Sequence, residues 1–83
     1  MNQIQQAYAL AKAAYDAAVE SENWELVEQL EDAYLDSESI LVDWALTVAE
    51  KSGKLSDKEI ELLRKNWALH HERIVNLAMK LSA

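Results

Sequence analysis

His70, His71 and Glu72 are the residues of this 83-residue chain whose types suit proton transfer or metal ligation. An imidazole with an ordinary pKa of about 6.5 serves as a general base, a proton relay or a transition-metal ligand. The three sit in the stretch NWALHHERIV, residues 66–75. A metal site on one helix wants ligands at i, i+3 or i, i+4, because only those positions share a face. His70 has Asn66, Trp67, Arg73 and Ile74 at those distances, and His71 has Trp67, Ala68, Ile74 and Val75. Neither histidine has a second ligand in register, so the Glu-x-x-His half-sites of a di-iron bundle are missing. The remaining metal reading is mononuclear and pairs His70 with a carboxylate from another helix, such as Glu38. Nucleophilic catalysis needs a nucleophile, a base and an orienting group converging on one pocket. No such set is specified, so the reading is non-enzymatic, with no catalytic residue and no cofactor. His70 then belongs to an apolar seam, its ring bonded to a tyrosine, an acid or water.

The elements that carry these residues are helices. The chain has no Pro, one Gly and no Cys, and 51% of it is apolar. Sheets and long loops need more turn residues than that. Without Cys, disulfides, thiolate nucleophiles and Cys-ligated zinc are excluded. The first ten residues lack the pattern of a secretory signal, and no run of eighteen apolar residues occurs. The expectation is a cytoplasmic protein that neither spans a membrane nor binds one.

Three helical segments are predicted, at about residues 3–20, 24–52 and 57–81, in a single domain over 1–83. In the first, Ile4, Ala7, Tyr8, Ala11, Ala14, Tyr15 and Ala18 recur at three- and four-residue spacing and share a face. ESEN, residues 20–23, breaks the pattern, with Ser21 or Asn23 available to cap the next helix. The second segment contains no breaker before Ser52, DSES at 36–39 being the only place for a kink. Gly53, after Lys51 and Ser52, suits a left-handed helix stop. Ser56-Asp57-Lys58-Glu59 matches a capping box that starts the third helix. Its seam runs Ile60, Leu63, Trp67, His70, Ile74, Leu77 and Leu81, in steps of three and four. Short turns make consecutive helices antiparallel. The expected architecture is an all-α, up-down-up three-helix bundle with a shorter first helix and two long ones.

Length and charge both bear on function. The first helix reaches along the second only to about residue 41. Beyond it, Val42, Trp44, Ala45, Leu46 and Val48 have only the start of the third helix for cover. Leu35, Val42 and Leu46 lie away from the seam of Leu30, Leu41, Trp44 and Val48, so they form a second apolar stripe. Trp67 is expected in the core, and Trp24 at the closure of the first hairpin. The net charge is −7, and from Asp16 to Glu50 there are eleven acidic residues and no basic one. That distribution argues against nucleic acid and anionic membranes, which select basic surfaces.

ENWELVEQLEDAY, residues 22–34, resembles the start of the second helix in bacterial flagellar filament-cap export chaperones. The shared features are Trp24, Glu25, Val27, Leu30, Glu31 and Tyr34, and a layout of one shorter and two longer helices across nearly the whole chain. Members of that family often carry a further C-terminal helix that has no counterpart here. The resemblance implies a small chaperone that takes up the helical tail of a secretion substrate in apolar grooves.

The function expected from these readings is protein binding by helix-in-groove packing, to a partner's amphipathic helix or to itself as a homodimer. The candidate contacts are Leu35, Val42, Trp44, Leu46, Leu62 and Leu69. A self-associating structural or regulatory helical protein, and a metal- or cofactor-binding bundle centred on His70, are the alternatives.

Overall fold

A computed structural model describes residues 2–81, and within them the chain is helical, with no strand. Four helices follow one another: α1 (Gln3–Glu20), α2 (Trp24–Ser52), α3 (Asp57–Lys65) and α4 (His71–Lys80). The chain divides into two compact units, one ending at Ile40 and the other beginning at Leu41. α2 is assigned as one helix from Trp24 to Ser52, with DSES, residues 36–39, inside it.

The first unit is a helical hairpin of α1 and the first part of α2. Asn2 starts α1 with a full capping box: its side chain accepts from Gln5 N at 2.8 Å, while Gln5 Oε1 accepts from Asn2 N at 2.9 Å. At the other end, Glu22 N donates to Val19 O and Asn23 N to Ala18 O, both at 3.0 Å. This is a Schellman stop, and it places Glu22 at φ 57°. Asn23 then caps α2 through its side-chain oxygen, which accepts from Leu26 N at 3.3 Å. The hairpin is joined by tyrosines: the Tyr34 ring lies 4.9 Å from that of Tyr15 and 6.0 Å from that of Tyr8. Of the expected α1 face, Tyr8 and Ala18 are buried and Ile4, Ala11 and Tyr15 half-buried, while Ala7 and Ala14 are exposed.

The second unit holds the rest of α2 with α3 and α4. α2 ends in another Schellman stop, Gly53 N donating to Glu50 O at 3.3 Å and Lys54 N to Ala49 O at 3.0 Å. Gly53 has φ 72°, and no atom stands within 4 Å of where its Cβ would be. Glycine is therefore needed for its backbone and not for space. Ser56 caps α3, accepting from Glu59 N at 3.2 Å. Its hydroxyl also donates to Glu59 Oε1 at 3.3 Å, so only the forward half of the expected capping box forms as anticipated.

The single helix expected over 57–81 is two helices. α3 stops at Lys65, and residues 66–70 form successive turns, with Leu69 N bonded to Asn66 O and His70 N to Asn66 O and Trp67 O. No Gly or Pro marks the break. Asn66 makes it, at φ −124° and ψ 34°, with its Nδ2 donating to Leu62 O at 3.2 Å alongside its own backbone N–H. The turn folds the chain back on itself. Arg73 Nη2 lies 3.5 Å from Glu59 Oε2, whereas fourteen residues of continuous helix would separate the two backbones by about 21 Å.

Folding back also builds the core. Val42, Leu46 and Ala49 of α2 cluster with Ile60 and Leu63 of α3 and Ile74 of α4, and Leu55 and Leu77 pack against them. A straight third helix would carry Ile74 about 21 Å past Ile60 and leave α2 covered on one side only. The apolar area buried by the hairpin opposes the loss of helical continuity at Asn66. Trp67 is the residue displaced. Expected in the seam, it is 39% exposed in the turn.

Candidate docking surface

The histidine pair marks the end of this hairpin turn. His70 occupies the N-cap position of α4 without a side-chain cap bond, and His71 is the first residue of that helix. Both are half-buried. Glu38, the carboxylate considered as a co-ligand for His70, is buried in the other compact unit. Among the described residues no group of three or more His, Cys, Asp or Glu is placed to hold a metal ion.

The turn is apolar where a helix–helix connection is ordinarily polar. Trp67, Ala68 and Leu69 follow Asn66 and are all exposed, Leu69 at 82%. Leu62, on the last turn of α3 and four residues before Asn66, is 53% exposed. It stays outside because the face of α3 that carries Ile60 and Leu63 already meets α2, and position 62 lies about 100° from position 63. Two of the expected contact residues, Leu62 and Leu69, are thus on the surface. A third, Leu35, is 49% exposed, in the first unit.

The other three expected contacts fall elsewhere. Val42 and Leu46 are buried in the core cluster, because α4 returns to cover the stretch of α2 that the sequence leaves bare. Trp44, beside them, is half-buried. The second apolar stripe of α2 is therefore divided, its residues 42 and 46 serving the core and only Leu35 facing outward.

The same return of α4 forms a cavity of about 480 Å³ in the second unit. Its apolar walls are Leu55, Leu63, Ile74 and Leu77. α4 adds Arg73, Asn76 and Lys80 around them, so the polar groups of the lining are cationic or neutral. Sequence reasoning missed these three, because a straight helix puts Arg73 and Lys80 far from Leu55. The available signal was the Asn at position 66, a residue suited to stopping a helix.

One polar group in the first unit is poorly served. Tyr8 is 3% exposed and its Oη finds no partner of hydrogen-bonding geometry, although the Tyr34 hydroxyl lies close enough to perturb it. Burial pushes the Tyr8 phenol well above its ordinary value of 10.0, and Tyr34 and the carboxylates of Glu38 and Asp16 push it further. Such a phenol is a weak acid that keeps its proton at neutral pH.

No helix among the described residues is long and apolar enough to cross a membrane. Compared with known proteins, the chain matches no family model, no curated protein and no solved structure.

Proposed function

We propose that this chain is a non-enzymatic protein-binding module that docks a partner's amphipathic helix on the apolar turn between α3 and α4. The carrying observation is the exposure of Trp67 and Leu69 in that turn, with Leu62 at the end of α3. A chain that sets two large apolar side chains in a connection gains nothing for its own core from them. Large apolar side chains left exposed this close together in sequence mark a candidate contact site. Trp is also the residue type most enriched among binding anchors. A helical, apolar partner segment is what the resemblance to export chaperones implies, and the surface suits it.

The test is titration of a Leu-rich amphipathic helical peptide into isotopically labelled protein, followed by amide chemical shifts. The expected shifts gather at Leu62 and at residues 66–70, and disappear in the Leu62→Asp, Leu69→Asp double variant. That variant should keep its thermal midpoint within a degree or two, since both positions are exposed. A peptide that moves no resonance in this region, or binds the double variant equally well, overturns the reading.

A further inference from the structure

The two compact units differ sharply in charge. Up to Ile40 there are nine acidic residues against one basic residue, Lys12, which is itself held by Asp16 at 2.6 Å. From Leu41 onward there are seven basic residues and six acidic ones. The cavity in the second unit concentrates that difference, since Arg73 and Lys80 line it and, among the described residues, no carboxylate does. Lys80 has no carboxylate partner among the described residues. Arg73 reaches Glu59 at 3.5 Å with both side chains more than half or half exposed, a contact of little worth that is readily exchanged. An occupant matched to this cavity presents an apolar side chain beside carboxylates.

The chain carries such a group on α2. Leu35 is exposed, and Glu31 and Asp32 stand at i−4 and i−3, the positions that share its face. Glu28, one more turn back, continues the same row. All three acids are exposed, and no basic residue interrupts the stretch from Asp16 to Glu50. Leu35 is on an unbroken helix and is not used by a core cluster, so it is presented rigidly and at little ordering cost.

We infer that a second copy of this chain docks its Leu35 row, with Glu31 and Asp32, into the cavity lined by Leu55, Leu63, Leu77, Arg73 and Lys80. The contact pairs acidic row with cationic cavity, because two acidic rows repel one another. It goes beyond the docking proposed above, since it uses a different surface and a known occupant.

Sedimentation velocity on the full chain, from micromolar to millimolar concentration, tests the proposal. The expected result is a mass that rises with concentration. Because two copies at −7 repel overall, salt alone does not identify the contact, whereas exchanging charges does. Arg73→Glu with Lys80→Glu in one protein, and Glu31→Lys with Asp32→Lys in another, should each weaken self-association at least about tenfold. Mixing the two restores it, since each variant's altered surface then meets an opposite charge. Circular dichroism of each variant checks that it is folded, and Leu35→Asp gives an independent loss should either reversal unfold. A chain that is monomeric at every concentration overturns the inference. So does association that survives the reversals, or a mixture that fails to recover. Peptide binding at Leu62 and residues 66–70 is read separately on the same variants, so the two proposals fail independently.

Discussion

Arg64 Nη1 donates to Asp43 Oδ1 at 2.8 Å, and the Nη2 of the same guanidinium donates to Thr47 Oγ1 at 3.2 Å. One arginine of α3 thereby grips two positions a helical turn apart on α2. Thr47 Oγ1 is fixed in turn, donating to the Asp43 backbone oxygen at 2.8 Å. The grip orients α3 along α2 more than it stabilises it, because the side chains of Asp43 and Arg64 are 73% and 40% exposed. Arg64→Ala should lower the unfolding free energy by about 0.5 kcal/mol. A double-mutant cycle with Asp43→Ala, read by urea denaturation, should give a coupling below about 1 kcal/mol. A larger coupling would mean the pair is drier than its exposure indicates.

The two Schellman stops make opposite predictions at their left-handed residues. Gly53→Ala meets no atom, so its cost is backbone strain alone and should be about 1 kcal/mol. Glu22 already bears that strain at φ 57°, and Glu22→Gly should raise stability by about 0.5 kcal/mol. Thermal midpoints of the two variants should therefore move in opposite directions. Equal signs would show that side-chain contacts, and not φ, decide these positions.

Core and surface leucines are cleanly separated. Leu46 has no exposed area and lies in the α2–α3–α4 cluster, so Leu46→Ala should cost about 2–5 kcal/mol. Leu69→Ala should cost under about 0.5 kcal/mol, because the side chain is 82% exposed. In a domain whose whole stability is on the order of 5–15 kcal/mol, the first substitution is a large fraction and the second is not. Chemical denaturation of the two variants distinguishes them directly.

Tyr8→Phe removes a buried hydroxyl that lacks a well-formed hydrogen bond, and should be neutral or stabilising by up to about 1 kcal/mol at pH 7. The same residue predicts an alkaline effect. Its phenol holds the proton more tightly in the folded protein than in the unfolded chain, where the ordinary value of 10.0 applies. Its contribution to stability is therefore complete below that value and is lost as pH climbs above it. The urea midpoint of the native chain should fall more steeply above pH 10 than that of Tyr8→Phe. Parallel curves would mean that Tyr8 titrates normally.

Much of the fold was legible because local signals carried it. α2 begins and ends, and α3 begins, where capping and a left-handed stop place them, at Asn23, Gly53 and Ser56, since those motifs act within five residues. The length of α1 limited its reach along α2 to about residue 41, and the first compact unit ends at Ile40. These features depend on sequence spacing alone. The break at Asn66 does not. Ile60, Leu63, Trp67, Ile74 and Leu77 fit one continuous helix as well as two, because a heptad pattern states which residues share a face and not how far that face extends straight. Only tertiary structure chose between them. Folding α4 back places Ile74 in one cluster with Val42, Leu46 and Ala49, which buries Val42 and Leu46, two residues whose sequence context left them looking like a contact surface. The same choice drove Trp67 outward and brought Arg73 and Lys80 to the cavity beside Leu55. The sequence by itself determined the helices and their caps, through short-range hydrogen bonding. The surfaces offered to a partner were decided by the area buried when the third helical segment doubles back on α2, a long-range gain that no local spacing records.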